Sequence, residues 1–193
     1  MSANERRRFD VVAIGASAGG VQALLSILPA LPVDFAPAML VVLHVSSERP
    51  CALAALLAEH CRLPVSEAFD KQPIEEGTVI VAPPDYHMLV EPDRCISLSS
   101  DEPVMFSRPA IDPTFESASL AYRERLLAVL LTGASADGSA GAAKVRSHGG
   151  ALWVQDPAGA YAPTMPEAAL HRAGADAILS LDRIGEGLAG LTR

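Results

Sequence analysis

Phe9-Asp-Val-Val-Ala-Ile-Gly-Ala-Ser-Ala-Gly-Gly20 is the stretch on which the fold turns. It opens as a short apolar run rich in β-branched residues, and a cluster of glycine, alanine and serine follows before helical spacing begins at Val21. That order predicts a buried strand, a tight turn and a helix over residues 21–28. The alternation repeats outward, with residues 38–45 predicting a second buried strand and 51–60 a second helix. Near-continuous apolar strands separated by helices belong to βαβ units whose sheet is covered on both faces.

The middle of the chain changes character. Residues 78–82, 88–91 and 95–98 are short strand-like pieces separated by Pro83-Pro84 and Pro92-Asp93, a pattern that predicts a hairpin. A proline-punctuated loop over 102–113 precedes a helix from near Thr114. From Leu126 the alternation resumes: a strand at 126–131, a glycine-rich loop at 132–138, a helix at 140–147 and a strand at 151–155. A helix at 166–171, a strand at 177–181 and a final amphipathic helix follow. The expected architecture is one α/β domain over residues 10–193, after a flexible tail at 1–9. It is a doubly wound, mostly parallel sheet with a small antiparallel hairpin insertion.

Composition narrows the function classes. A chain of 193 residues buries roughly 70% of its unfolded surface and forms one core. Half of the residues are apolar and 20% are charged, too hydrophobic a mixture for disorder. The formal net charge is −8 and the pI is near 5.0, so the summed field repels nucleic acid and anionic lipid. Arg6, Arg7 and Arg8 read as a solvated tail. Cys51, Cys61 and Cys95 are an odd set without CxxC spacing, which reads as reduced thiols rather than a disulfide framework or a metal site. Between residues 21 and 45, Pro29, Pro32, Asp34 and Pro37 interrupt the apolar stretch. No uninterrupted apolar run reaches the ~18 residues of a spanning helix. A cytoplasmic protein without membrane insertion is expected.

In open parallel sheets ligands bind beyond the carboxyl ends of the strands, so polar residues just after predicted strands are the first candidates. Ser17, His44, Asp137 and Asp156 all hold that position. Gly15-Ala-Ser-Ala-Gly19 matches the G-x-S-x-G elbow, where small neighbours let the backbone turn sharply and expose the serine Oγ. The Ala18 amide, with the positive end of the following helix, would then face an oxyanion formed at Ser17. A glycine turn capped by a serine explains the same letters. A dinucleotide loop would need glycine where Ser17 sits, and its ribose-binding acid is only loosely offered by Asp34; no phosphate-loop lysine follows either. No cofactor is expected.

A serine hydroxyl needs a base, and the base needs a carboxylate to fix its tautomer. His44, at the end of Val-Val-Leu-His, fits a base and equally fits a satisfied core histidine. His60, His148 and His171 read as structural, and His87 as a residue at the rim. Asp137 and Asp156 both qualify by placement as the acid.

The motifs Ile14-Gly-Ala-Ser-Ala-Gly-Gly20, Val42-Leu-His44, Ser107-Arg-Pro-Ala-Ile-Asp112 and Leu131-Thr-Gly-Ala-Ser-Ala-Asp-Gly138 occur in this order. With Val81-Ala-Pro-Pro-Asp-Tyr-His87, Gly149-Gly150, Gln155-Asp156 and Met165-Pro-Glu-Ala168, the set resembles the catalytic domain of the chemotaxis protein-glutamate methylesterases, the CheB family. The resemblance implies a serine esterase with Ser17 as nucleophile, His44 as base, Asp137 as orienting acid and the Ala134 amide as an oxyanion donor. It also implies a substrate-side arginine at Arg108. The implied substrate is a glutamate methyl ester on the cytoplasmic region of a chemoreceptor or similar signalling protein, with glutamine deamidation as a related reaction. Ala18 stands where the family often has threonine, and Ala134 and Ser135 where methionine and glycine are usual. The family usually carries an N-terminal receiver domain and only nine residues precede Asp10, so the expectation is either a fragment or a stand-alone form regulated otherwise, with a separate receiver protein as one regulator. A module of the same fold that docks without catalysing is the competing expectation.

Overall fold

The computed structural model describes residues 9–44 and 53–192. The arginines of the expected tail, and Cys51, lie outside that range. Seven strands form one sheet: β1 (Val11–Ala16), β2 (Ala38–Leu43), β3 (Val65–Glu67), β4 (Val79–Val81), β7 (Leu126–Leu130), β8 (Ala151–Gln155) and β9 (Ala177–Leu179). Their order is β3-β4-β2-β1-β7-β8-β9, and every neighbouring pair is parallel. The remaining two strands, β5 (His87–Val90) and β6 (Ile96–Ser99), pair antiparallel with each other and stand apart from the sheet.

Alternation along the strands fills both faces. Val12, Ile14, Met39, Val41, Leu127 and Val129 point to one side, beneath α1 (Gly20–Ile27), α2 (Leu53–His60) and α6 (Leu181–Ala189). Val11, Ala13, Leu40, Val42, Ala128 and Leu130 point to the other, beneath α3 (Ile111–Tyr122), α4 (Ser139–Ser147) and α5 (Thr164–Ala173). This two-sided burial is why the central strands read as unbroken apolar runs. From β1 the chain moves first towards β3 and later, through β7, towards β9. The reversal falls at β1, and the crevice beyond its carboxyl end is where such sheets bind ligands.

Three local expectations change. The piece at 78–82 joins the parallel sheet as β4, leaving 87–90 and 96–99 as the hairpin. Its connection is longer than Pro92-Asp93: the Glu91 N–H donates to Cys95 O, and Arg94 takes a φ of 65°. Helix α3 begins at Ile111 rather than near Thr114. Pro113 falls in its first turn, where a missing N–H removes a donor that would have no helical acceptor anyway.

Candidate active site

Ser17 directly follows β1, and its N–H donates to Thr132 O at 2.9 Å, tying the turn after β1 to the loop after β7. Its carbonyl accepts the Gly20 N–H at 2.7 Å, closing the turn into α1. The turn depends on Gly19, whose φ of 80° lies in the left-handed region and whose added Cβ would sit 2.7 Å from Tyr161 Cβ. His44 is the residue after β2; its N–H reaches Ala16 O at 3.2 Å, so the ring is one strand away from the residue preceding Ser17. Ser17 Oγ makes no hydrogen bond among the described residues.

His44 and Asp137, 93 positions apart, meet side chain to side chain: Nε2 lies 2.7 Å from Oδ2. Asp137 is fully buried, which alone would favour its neutral form. Its carboxyl is nevertheless lowered from the ordinary carboxylate value. Burial pushes upward, but the hydrogen bonds from His44, Ile111 N–H and Asp112 N–H, with the attraction of His44, outweigh it. The bonds are short, at 2.6 Å from Ile111 and 3.0 Å from Asp112, and a fourth comes from Gly138 N–H at 2.9 Å. A carboxylate only accepts, so His44 Nε2 carries the proton and Nδ1 keeps the lone pair. Asp156, the rival by placement, is exposed and caps the turn that follows it by accepting the Ala158 N–H.

The loop between β7 and α4 is built without glycine at positions 134 and 135: neither Ala134 nor Ser135 has a positive φ, whereas Gly138 does, at 89°. Ser135 Oγ accepts the Asp137 N–H at 3.0 Å and steadies the turn from inside. The amides of Ala18 and Ala134 donate to no other described residue. Arg108 turns back on its own loop, donating from Nη1 to the carbonyls of Ser100 and Asp101 at 3.0 and 3.1 Å. Its Nε is buried without a partner among the described residues.

Three residues that local pattern does not single out support this arrangement. Thr132 donates from Oγ1 to Ala18 O at 2.8 Å and accepts the Ala162 N–H at 2.9 Å. Buried Gln155 accepts the Thr132 N–H at 2.9 Å. Asp112, beside Asp137, is raised to about 6, chiefly by burial, opposed by the Gly141 N–H and reinforced by the charge of Asp137. A polar residue closing an apolar strand, as Gln155 closes β8, is the one sequence signal that could have flagged any of them.

The CheB methylesterase family profile matches residues 12–188. A relative from Leptospira interrogans is 41% identical over 178 residues, a match covering 92% of each chain. The protein-glutamate methylesterase/protein-glutamine glutaminase 1 of Rhodospirillum rubrum is 38% identical across 92% of this chain and 47% of its own length. The crystal structure of the Thermotoga maritima CheB methylesterase catalytic domain superposes with a TM-score of 0.90 at 32% identity, covering 95% of this chain and 99% of that one.

Proposed function

The chain belongs to the CheB methylesterase family, and we propose that Ser17, His44 and Asp137 are the triad with which it hydrolyses glutamate methyl esters on a chemoreceptor. The observation that carries this reading is the 2.7 Å contact between His44 Nε2 and a buried, fourfold hydrogen-bonded Asp137 carboxylate. It leaves Nδ1 as the proton acceptor on the strand next to Ser17.

Ser17 Oγ attacks the ester carbonyl carbon while Nδ1 of His44 takes its proton. The tetrahedral oxyanion is met by the amides of Ala18 and Ala134, which have no partner among the described residues. Collapse breaks the bond to the methoxy group, which leaves as methanol with the proton from His44. Water then adds to the acyl-enzyme, giving one proton to His44, and the second collapse returns that proton to Ser17 Oγ and frees the glutamic acid side chain, which loses its remaining proton to solvent. A glutamine side chain follows the same route with ammonia as the leaving group. Asp137 holds the imidazolium in place throughout.

Arg108 serves the substrate side, with Nη1 committed to its own loop. Residues 10–193 form the catalytic domain, and a separate receiver protein regulates it. The enzyme works in the cytoplasm, where the receptor carries its esters; among the described residues no helix is long and apolar enough to cross a membrane. Methanol release from methylated receptor by wild type and Ser17→Ala tests the reading. Release is expected to vanish in the variant with its circular dichroism unchanged; undiminished release would remove Ser17 as nucleophile, and no release from either protein would leave a docking module as the surviving account.

A further inference from the structure

His87 opens β5 and is 2% exposed, and the reaction above makes no use of it. Both ring nitrogens are occupied. Nδ1 receives the Ala110 N–H at 3.2 Å, and Nε2 lies 3.1 Å from Glu102 O. An amide N–H only donates and a carbonyl only accepts, so these partners fix a neutral ring with its proton on Nε2.

The two contacts do different things. Glu102 and Ala110 are the two ends of the loop that carries Arg108, so one ring closes that loop at its base. Ala110 is also the residue before α3, and the next two amides, of Ile111 and Asp112, are those that hold Asp137. The first N–H groups of a helix have no partner within it. Here His87 takes the first and Asp137 the next two. The hairpin is fastened to α3 at two further points: Thr114 Oγ1 donates to Met88 O at 2.6 Å, and Ser117 Oγ accepts the Val90 N–H at 3.0 Å. His87 is the member of this series nearest the carboxylate.

We propose that His87 is a positioning residue of the esterase: its ring clamps the Arg108 loop through Glu102 and, through Ala110, aims the α3 amides that orient Asp137. The proposal rests on the triad reading.

Two near-isosteres separate the contacts. In His87→Asn the side-chain oxygen overlays Nδ1 and keeps the Ala110 N–H, while Glu102 is released. In His87→Gln the amide reaches the Nε2 position and keeps Glu102, while the Ala110 N–H is left buried without a partner. Steady-state methanol release from methylated receptor should then split. His87→Gln lowers kcat about tenfold with little change in KM, because a misplacement of about 1 Å costs up to about 10²-fold and a smaller shift proportionately less. His87→Asn keeps most of kcat and raises KM roughly fivefold, the equivalent of one modest hydrogen bond.

Amide hydrogen exchange of the same proteins gives a readout independent of turnover. Ile111 and Asp112 exchange faster in His87→Gln than in wild type or His87→Asn. Variants that match wild type in both measurements, or that lose kcat and KM alike with uniformly faster exchange, overturn the proposal in favour of simple packing. A wild type that releases no methanol overturns the esterase reading instead, and the exchange comparison still decides the clamp.

Discussion

Nε2 of His44 and Oδ2 of Asp137 stand 2.7 Å apart, and three backbone N–H groups donate to the two oxygens of the same Asp137 carboxyl. Replacing Asp137 by Asn puts an N–H group where an acceptor was and turns His44 towards the wrong tautomer. Asp137→Asn is expected to reduce kcat by on the order of 10³-fold. Single-turnover methanol release, with circular dichroism as the control for folding, measures it.

Asp112 gives a pH-dependent stability of definite sign. Its native value, near 6, lies above the unfolded one, which is about 4. The stability that its neutral form contributes is therefore complete below about pH 4 and is lost as pH rises through the native value. Asp112→Asn keeps an acceptor for the Gly141 N–H and removes the charge. Its melting temperature relative to wild type is expected to rise from pH 4 to pH 8, and thermal melts at pH 4, 6 and 8 check this.

At Gly19 a side chain meets both a left-handed backbone and Tyr161. Gly19→Ala is expected to cost about 2 kcal/mol in urea unfolding. It should also slow fluorophosphonate labelling of Ser17, because the strain sits two residues from the proposed nucleophile.

Thr132 can be tested by two substitutions of similar size. Thr132→Val leaves the Ala162 N–H and the Ala18 carbonyl without their hydroxyl partner. It should cost about 1–3 kcal/mol and lower kcat, since Ala18 is a proposed oxyanion donor. Thr132→Ser restores both bonds and is expected to recover stability and turnover. Urea unfolding and methanol release read the pair.

How much of this the sequence carried depends on the range of the forces involved. β1, the turn at Ser17 and α1 were legible because strand run, glycine cluster and helical spacing are all local. So were the ends of β2 and β8. β3 went unseen, being three residues long with none fully buried, and the start of α3 was misplaced because Pro113 was read as a breaker rather than as a first-turn residue. Ser17 and His44 stood out as polar residues ending apolar strands. Asp137, in a loop tight enough to fix a side chain, had only a small local advantage over Asp156, and the family resemblance decided between them in sequence. In space the difference is a contact with His44 across 93 positions. Thr132, Gln155 and His87 act through backbone groups of distant loops, and no spacing rule registers such partners.

Helix ends are ordinarily the parts of a helix that fray first. In this protein the first turn of α3 is bound up with Asp137, so opening that turn strips the carboxylate of two of its donors. Loss of the ester hydrolysis and loss of the helix end are then one event. Mild denaturant should silence the enzyme before the sheet beneath it unfolds, which makes turnover itself a gauge of local order at residues 111 and 112.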